Sequence, residues 1–599
     1  MSPSGTLSPV LTIRFGWKAS RDCSYQGDKP TLLGHASAAM PSSTFTIGLD
    51  YGTQSVRALV VDVRTGEEVG TGIYAYPSGT NGTYRDPSDP NVARQNPRDY
   101  LHGLVESVQY ALNEAQQHPA FARDAVVGLG IGATGSTLVP VDRTGHPLAF
   151  KDAFADTLDA KVWLWKDHTC HAEAQEITRT AHERHPEYLS NYGGTCSAEW
   201  YWPKLLHCSR RTPDVFEAAY TWVEHADWIP AVLTGTDHPD DLKRGYCAAA
   251  LKALYNEKWG GYPDAEFLSA LDPGLVDVRR TLAVSVHPAT HPAGTLVDEW
   301  ADRLGLPADI PVAMGALDAP LGAIGAGIDE GTLVKIIGTS TCDLMVHPMS
   351  TSLDDIPGLC GIIPESVRPG YFGLEAGQSA VGDIFNWFVE TVQPNNLDHD
   401  TLTARASKLA PGESGLLALD WHNGNRSILV DQRLTGGMIG LTLQTTPAEM
   451  YRAYVEATAF GARVIMEQFE EYGVGVDRIV NCGGISEKNS MVMQIYADVL
   501  GRPQQLSRSA QTPALGAAIT ASVAAGPDRG GHASVDAGID AMTGVKDTVF
   551  EPTPEHQAVY DRLYRLYRRL HDAYGVEGTN DDLYDVMKTL SSIREDVQE

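Results

Sequence analysis

Two stretches of this 599-residue chain carry the residue types that phosphate chemistry needs. An apolar run (45–49) ends in Asp50, a turn of Gly52-Thr53-Gln54-Ser55 follows, and a second apolar run (56–61) returns. This pattern predicts a β-hairpin whose tip offers backbone N–H groups and hydroxyls, with a carboxylate beside them. Such a tip suits phosphate oxygens and a Mg²⁺ ion. Gly-Thr turns also occur in ordinary hairpins, so the motif alone decides little. The same pattern recurs, however. Leu333 to Ile337 runs into Gly338-Thr339-Ser340, and Thr341 to Met345 returns. An internal repeat outweighs either copy by itself.

A third element sits just before the second hairpin. Asp318 is the single charge in Gly315-Ala316-Leu317-Asp318-Ala319-Pro320-Leu321-Gly322-Ala323. An acid in so small and apolar a segment suits a general base. It suits a helix N-cap as well, and one position can serve both roles. Two phosphate cradles and a base are the parts of a phosphoryl transfer to a hydroxyl, a reaction that consists mostly of positioning and charge stabilisation.

Other motifs mislead. Gly130-Ile131-Gly132-Ala133-Thr134-Gly135 matches a dinucleotide fingerprint, but 138–142 reads as strand and turn where that site requires a helix. There is no G-x-x-x-x-G-K-[ST] loop. His168, Cys170 and His171 lack the partner pair that zinc needs, so hydrogen bonding near a cleft or in the core is the expectation for His168.

The elements that must position these residues alternate. Strands are predicted over 43–75 and 126–131, with helices at 97–117, 172–180, 200–208 and 223–233. Further helices are predicted at 380–388, 447–471 and 491–500, and a strand with a Gly-Gly turn at 479–485. A helix of small residues starts near Ala514, suited to close packing against a sheet or a ligand. Alternation of this kind argues α/β layers. A net charge of −30 argues against a nucleic-acid partner. No uncharged apolar run reaches the length of a membrane span. Eight scattered cysteines fit a reducing cytoplasm. Residues 1–39 lack periodicity, so disorder, or a start that really lies at Met40, is expected there. An amphipathic helix is predicted over 560–571, and a loose acidic tail beyond Gly575.

Duplicated hairpins facing each other across a cleft resemble the two-domain actin, Hsp70 and sugar-kinase ATPase fold, an α/β ribonuclease H-like architecture. The Asp318 segment resembles the G-x-x-D-x-x-x-G-A-x-G signature of the FGGY carbohydrate kinases, with Pro320 where many members have His. Gly436-Gly437-Met438-Ile439-Gly440-Leu441 with Glu449 and Tyr454 resembles the family's second signature, and 479–485 and 511–518 resemble its adenosine-binding segments. Within the family, blocks at 132–137, 163–169, 197–204, 373–379 and 420–426 are similar to the ribulokinase branch. The resemblance covers roughly residues 43–575.

The resemblance implies ATP and Mg²⁺ as cofactors and Asp318 as general base toward a sugar hydroxyl. ATP contacts are expected from Gly52, Thr53, Gln54, Ser55, Gly338, Thr339, Ser340, Gly483, Gly484, Gln511 and Ala514, and metal contacts from Asp50 and Asp318. Sugar contacts are expected from Thr134, Gly135, Ser136, Asp167, Lys204 and Glu375, with Lys204 donating to oxygen and Glu375 presented from a Gly-rich loop. The implied organisation is an extension (1–42), a sugar-binding domain (43–327), an ATP-binding domain (328–576) and an acidic tail (577–599). The implied reaction is phosphorylation of L-ribulose to L-ribulose 5-phosphate in arabinose breakdown, in the cytoplasm. A homodimer stays open. Alternatives are a kinase for D-ribulose, ribitol or xylulose, a non-catalytic sugar sensor, and an actin-like or chaperone-like ATPase.

Overall fold

The computed structural model describes residues 43–283, 285–393, 396–580 and 583–598. The expected N-terminal extension lies outside these described residues. Two seven-stranded sheets dominate, one in each half of the chain. In the first, the order is Pro292–Thr295, Pro311–Ala313, Val126–Ala133, Phe45–Tyr51, Ser55–Asp62, Glu68–Ala75, with Ala316–Leu317 also on Val126–Ala133. In the second, the order is Gly361–Pro364, Tyr371–Ala376, Thr341–Pro348, Thr332–Ile337, Arg478–Cys482, Gln504–Ser507, Val545–Phe550.

The repeat seen in the sequence is a repeat of topology. Phe45–Tyr51 pairs antiparallel with Ser55–Asp62 and parallel with Val126–Ala133. Thr332–Ile337 pairs antiparallel with Thr341–Pro348 and parallel with Arg478–Cys482. All seven residues of Phe45–Tyr51 are buried. This explains a continuous apolar run where a half-exposed strand would alternate.

The helix Thr512–Ala525 belongs to the second half of the sequence but packs on the first sheet, and small residues permit this. A β-carbon on Gly48 would lie 1.8 Å from the Ala514 carbonyl oxygen, and one on Gly130 would lie 1.9 Å from that of Ala517. Gly130 of the apparent dinucleotide fingerprint is therefore, with Gly48, a landing point for a helix, whereas Gly132 and Gly135 face the side chains of Leu321 and Leu317. The same helix meets Asp318–Gly325, where a β-carbon on Gly516 would lie 1.9 Å from the Leu321 carbonyl oxygen.

Other helices follow their sequence signals. Pro447–Glu471 begins with a capping box of Thr446 and Glu449 and has Pro447 in its first turn. The predicted 223–233 helix divides into a strand, Thr221–Glu224, and a helix, His225–Thr234. The expected loose tail is corrected: Val586–Gln598 is a helix that buries Val586, Leu590 and Ile593. Ion pairs from Arg569 to Asp585 and from Arg562 to Asp596 tie it to Pro554–Gly575.

Candidate active site

Sheet register brings the two expected carboxylates together. Gly132 pairs with Asp50 on one side and with Ala316 on the other, so Asp50 and Asp318 flank the end of the same strand. The carboxyl ends of parallel strands are where open α/β sheets bind ligands. Asp318 is the first residue of Asp318–Gly325, with Leu317 at the cap position, and its Oδ1 accepts a hydrogen bond from the Ala319 N–H at 2.9 Å. Burial pushes its pKa up to about 7, and the neighbouring Asp50 charge adds to this. A carboxylate so tuned takes up a proton readily near neutral pH. Burial raises Asp50 as well, against the pull of Arg57 at 3.2 Å.

Both hairpin turns are braced from behind. The first closes through Gly52 N–H to Ser55 O at 3.0 Å. The Trp165 indole donates to Thr53 Oγ1 at 3.0 Å, and the Gln95 amide donates to Thr53 O at 2.7 Å, leaving Gln54 exposed at the tip. The second closes through Gly338 N–H to Ser340 O at 2.9 Å, and Val381 N–H holds Thr339 O at 2.8 Å. Gly483 lies at φ 95°, and a β-carbon there would stand 2.5 Å from Ile337 O. The Gly483-Gly484 turn thus rests on the root of the second hairpin, with Gly484 facing open space.

Two of the residues expected to contact the nucleotide have partners within the protein. Ala514 is fully buried against Gly48, and the Gln511 amide donates to Thr71 Oγ1 at 3.0 Å. The small residues of this helix pack on a sheet. Among the described residues no group of three or more His, Cys, Asp or Glu is placed to hold a metal. Asp50 and Asp318 remain as a pair, which suits Mg²⁺, an ion that takes one or two carboxylates and shares the rest with phosphates and water. Cys170 is buried and its Sγ points to Ala198 O.

On the sugar side the structure shows partners that the sequence does not reveal. Lys204 is fully buried, and its ammonium donates to Ser136 O at 2.7 Å and Leu164 O at 2.9 Å. Burial lowers its pKa to about 8. Asp167 is also fully buried and accepts from Ala93 N–H, the Thr169 hydroxyl and the Arg94 guanidinium. Asp167 thus sits in a buried network, and Lys204 gives two of its three donors to backbone carbonyls. The 134–136 turn is held by Lys204 through Ser136 O. A β-carbon on Gly135 would touch Leu317, next to the base. The Ser136 hydroxyl is bound to Glu224, and Thr134 pairs with Thr137 through their hydroxyls at 3.0 Å.

Glu375 lies in the strand Tyr371–Ala376, not in a loop. Its partner is Lys252, at the end of Tyr246–Lys252, with 3.9 Å between Nζ and Oε1. Sequence reasoning missed Lys252. The signal was there: Lys252 follows Ala248, Ala249, Ala250 and Leu251, a lone charge in a small apolar segment like that of Asp318. Glu199 completes the cluster. Burial works against its charge, but the His168 imidazole at 3.1 Å, with Arg426 and Lys252, holds its pKa down at about 2. Asp318 feels the charges of both Lys252 and Glu375.

The FGGY family of carbohydrate kinases matches in two parts, its N-terminal domain over residues 45–325 and its C-terminal domain over residues 333–525. A ribulokinase of Shouchella clausii is 41% identical over 566 residues, covering 92% of this chain and 98% of its own length. One from Vibrio parahaemolyticus is 40% identical, covering 88% and 95%. Among solved structures, a xylulose kinase from Rhodospirillum rubrum superposes with a TM-score of 0.71 at 24% identity, covering 88% of this chain and 98% of that one. A gluconate kinase from Lactobacillus acidophilus gives 0.71 at 20%, covering 90% and 99%.

Proposed function

This chain belongs to the FGGY family of carbohydrate kinases, and from that premise we propose that it transfers the γ-phosphoryl group of ATP to the terminal hydroxyl of L-ribulose. The product is L-ribulose 5-phosphate, a step of arabinose breakdown in the cytoplasm. One observation carries the reading: Asp318, with its pKa raised to about 7, lies beside Asp50 at the strand ends and within the field of the Lys252–Glu375 pair. The pentulose is taken from relatives named ribulokinase.

Each side chain then has a task. Asp318 takes the proton of the attacking hydroxyl. Glu375 accepts hydrogen bonds from sugar hydroxyls, and Lys252 donates to a sugar oxygen, with the 134–136 turn forming the adjacent wall. Thr53, Ser55, Thr339 and Ser340 offer hydroxyls and N–H groups to phosphate oxygens, and Gly484 leaves room for the nucleoside. Asp50 and Asp318 would hold Mg²⁺, which neutralises phosphate charge. Residues 43–327 supply most of the sugar side and 328–576 most of the nucleotide side, with Glu375 reaching the sugar from the second part and Thr53 and Ser55 reaching the phosphates from the first. Approach of the two sheets excludes water and so limits hydrolysis of ATP.

An ADP-release assay over L-ribulose, D-ribulose, xylulose, ribitol and glycerol tests this. L-Ribulose should give the highest kcat/KM, with epimers weakened by about 1–3 kcal/mol for each buried polar group left unpaired. A higher kcat/KM for xylulose or glycerol would overturn the substrate and leave the kinase standing.

A further inference from the structure

Behind the second phosphate turn lies a small polar cavity of about 10 Å³, lined among others by Gln378, Ser379, Trp421, Arg426, Tyr567 and His571. Its front wall is the support of the turn. Thr341 N–H donates to Gln378 O at 3.0 Å, Gln378 N–H donates to Thr341 Oγ1 at 2.9 Å, and the Arg426 guanidinium donates to Thr341 O. Its back wall is the C-terminal helix Pro554–Gly575. The Tyr567 hydroxyl donates to Asp420 Oδ1 at 2.7 Å, and the Gln378 amide donates to Asp420 Oδ2 at 2.7 Å. A continuous chain, Tyr567 to Asp420 to Gln378 to Thr341, therefore runs from that helix to the hairpin.

Five residues lining the cavity each keep a buried polar atom without a partner: Gln378 Oε1, Ser379 Oγ, Trp421 Nε1, Arg426 Nε and His571 Nε2. Buried polar atoms are normally partnered. Their chemistry is mixed. Arg426 Nε and Trp421 Nε1 only donate, and Gln378 Oε1 only accepts. His571 Nδ1 lies 2.8 Å from Asp572 Oδ1, which places the ring proton on Nδ1 and leaves Nε2 an acceptor. Ser379 can do either.

We propose that this cavity is a site for one buried water molecule, and that Gln378, Asp420 and Tyr567 are positioning residues that seat the second phosphate turn through it. Two donors and two acceptors are the complement of a single water, and the volume is that of one. An anion would face Gln378 Oε1, His571 Nε2 and the Asp420 carboxylate. A cation would face Arg426. Neither satisfies the set.

The kinetic consequence rests on the ATP reading above, whereas the water does not, so the two are tested apart. A high-resolution crystal structure should show one water peak in the cavity, within hydrogen-bond distance of Gln378 Oε1 and Arg426 Nε. An anomalous chloride peak or a cavity without density would overturn the proposal. In kinetics, Tyr567→Phe and Trp421→Phe should each raise the KM for ATP roughly five-fold, the worth of one hydrogen bond, and leave the KM for sugar within about two-fold. His571→Gln, which keeps an acceptor, should stay closer to the parent than His571→Leu. Equal changes in both KM values, or none, would overturn the positioning role. A wild-type protein without ATP-dependent turnover would sink the kinase reading, and the density alone would then decide the water.

Discussion

Nζ of Lys252, on a helix of the first half of the chain, stands 3.9 Å from Oε1 of Glu375, on a strand of the second. Both side chains are nearly buried, so each charge relies on the other and on what binds between the sheets. Lys252→Ala and Glu375→Ala should each raise the KM for sugar at least ten-fold more than that for ATP, about the worth of a charged hydrogen bond. Steady-state kinetics with each substrate varied in turn checks this. Equal effects on both substrates would place the pair in the framework instead.

Asp318→Asn should lower kcat by roughly 10²–10⁴, the usual worth of a general base, with sugar binding kept. The parent enzyme adds a pH signature. A carboxyl group with its pKa raised to about 7 is protonated below that pH and cannot accept a proton, so kcat/KM should climb through about pH 7 and level off above it. The Asp50 charge is the second cause of the rise, so Asp50→Asn should move the limb to lower pH in whatever activity remains. A pH–rate profile of each variant measures both effects. A profile flat from pH 5.5 to 8.5 in the parent would remove Asp318 as the titrating base.

Lys204→Ala should act on stability before it acts on binding. The substitution leaves the Ser136 carbonyl buried without its donor, at about 1–3 kcal/mol, and takes one of two donors from Leu164 O, which keeps the Asp167 N–H. Thermal melting should therefore show a clear drop in Tm. An unchanged Tm with a raised sugar KM would restore Lys204 to the sugar.

Two glycines separate packing from binding. Gly516→Ala would drive a β-carbon to 1.9 Å from Leu321 O, whereas Gly484 has nothing within 4 Å. Gly516→Ala should lose soluble, folded protein or lower Tm sharply, because backbone on both sides resists relief. Gly484→Ala should fold normally and raise the KM for ATP alone. Circular dichroism melts and ATP titrations distinguish the two outcomes.

Both hairpin turns were legible because a Gly-Thr turn between apolar runs is a local signal, and the burial of Asp318 because a lone charge stands out in an apolar segment. The inward direction of Lys204 was not legible, because sequence does not tell which way a lysine on a Trp-rich helix points. Here it points inward to two carbonyls. Gly373 and Gly377 made Glu375 look like a loop residue, although cross-strand pairing to Leu344 and Gly361 keeps it in a sheet. Arg426 and the Lys252–Glu375 pair depend on contacts distant in sequence, which no periodicity reports. The C-terminal helix was overlooked despite Val586, Leu590 and Ile593 at helical spacing.

The helix Thr512–Ala525 also bears on how the protein is made. Phe45–Tyr51 and Val126–Ala133 leave the ribosome long before the helix that covers them. Until that helix emerges, a nascent chain would carry an uncovered, glycine-lined sheet face. Pairing across so much sequence is slow and exposes apolar surface on the way. The first half should therefore depend on chaperone shelter while it waits, and should not be obtainable as a stable fragment ending before Thr512.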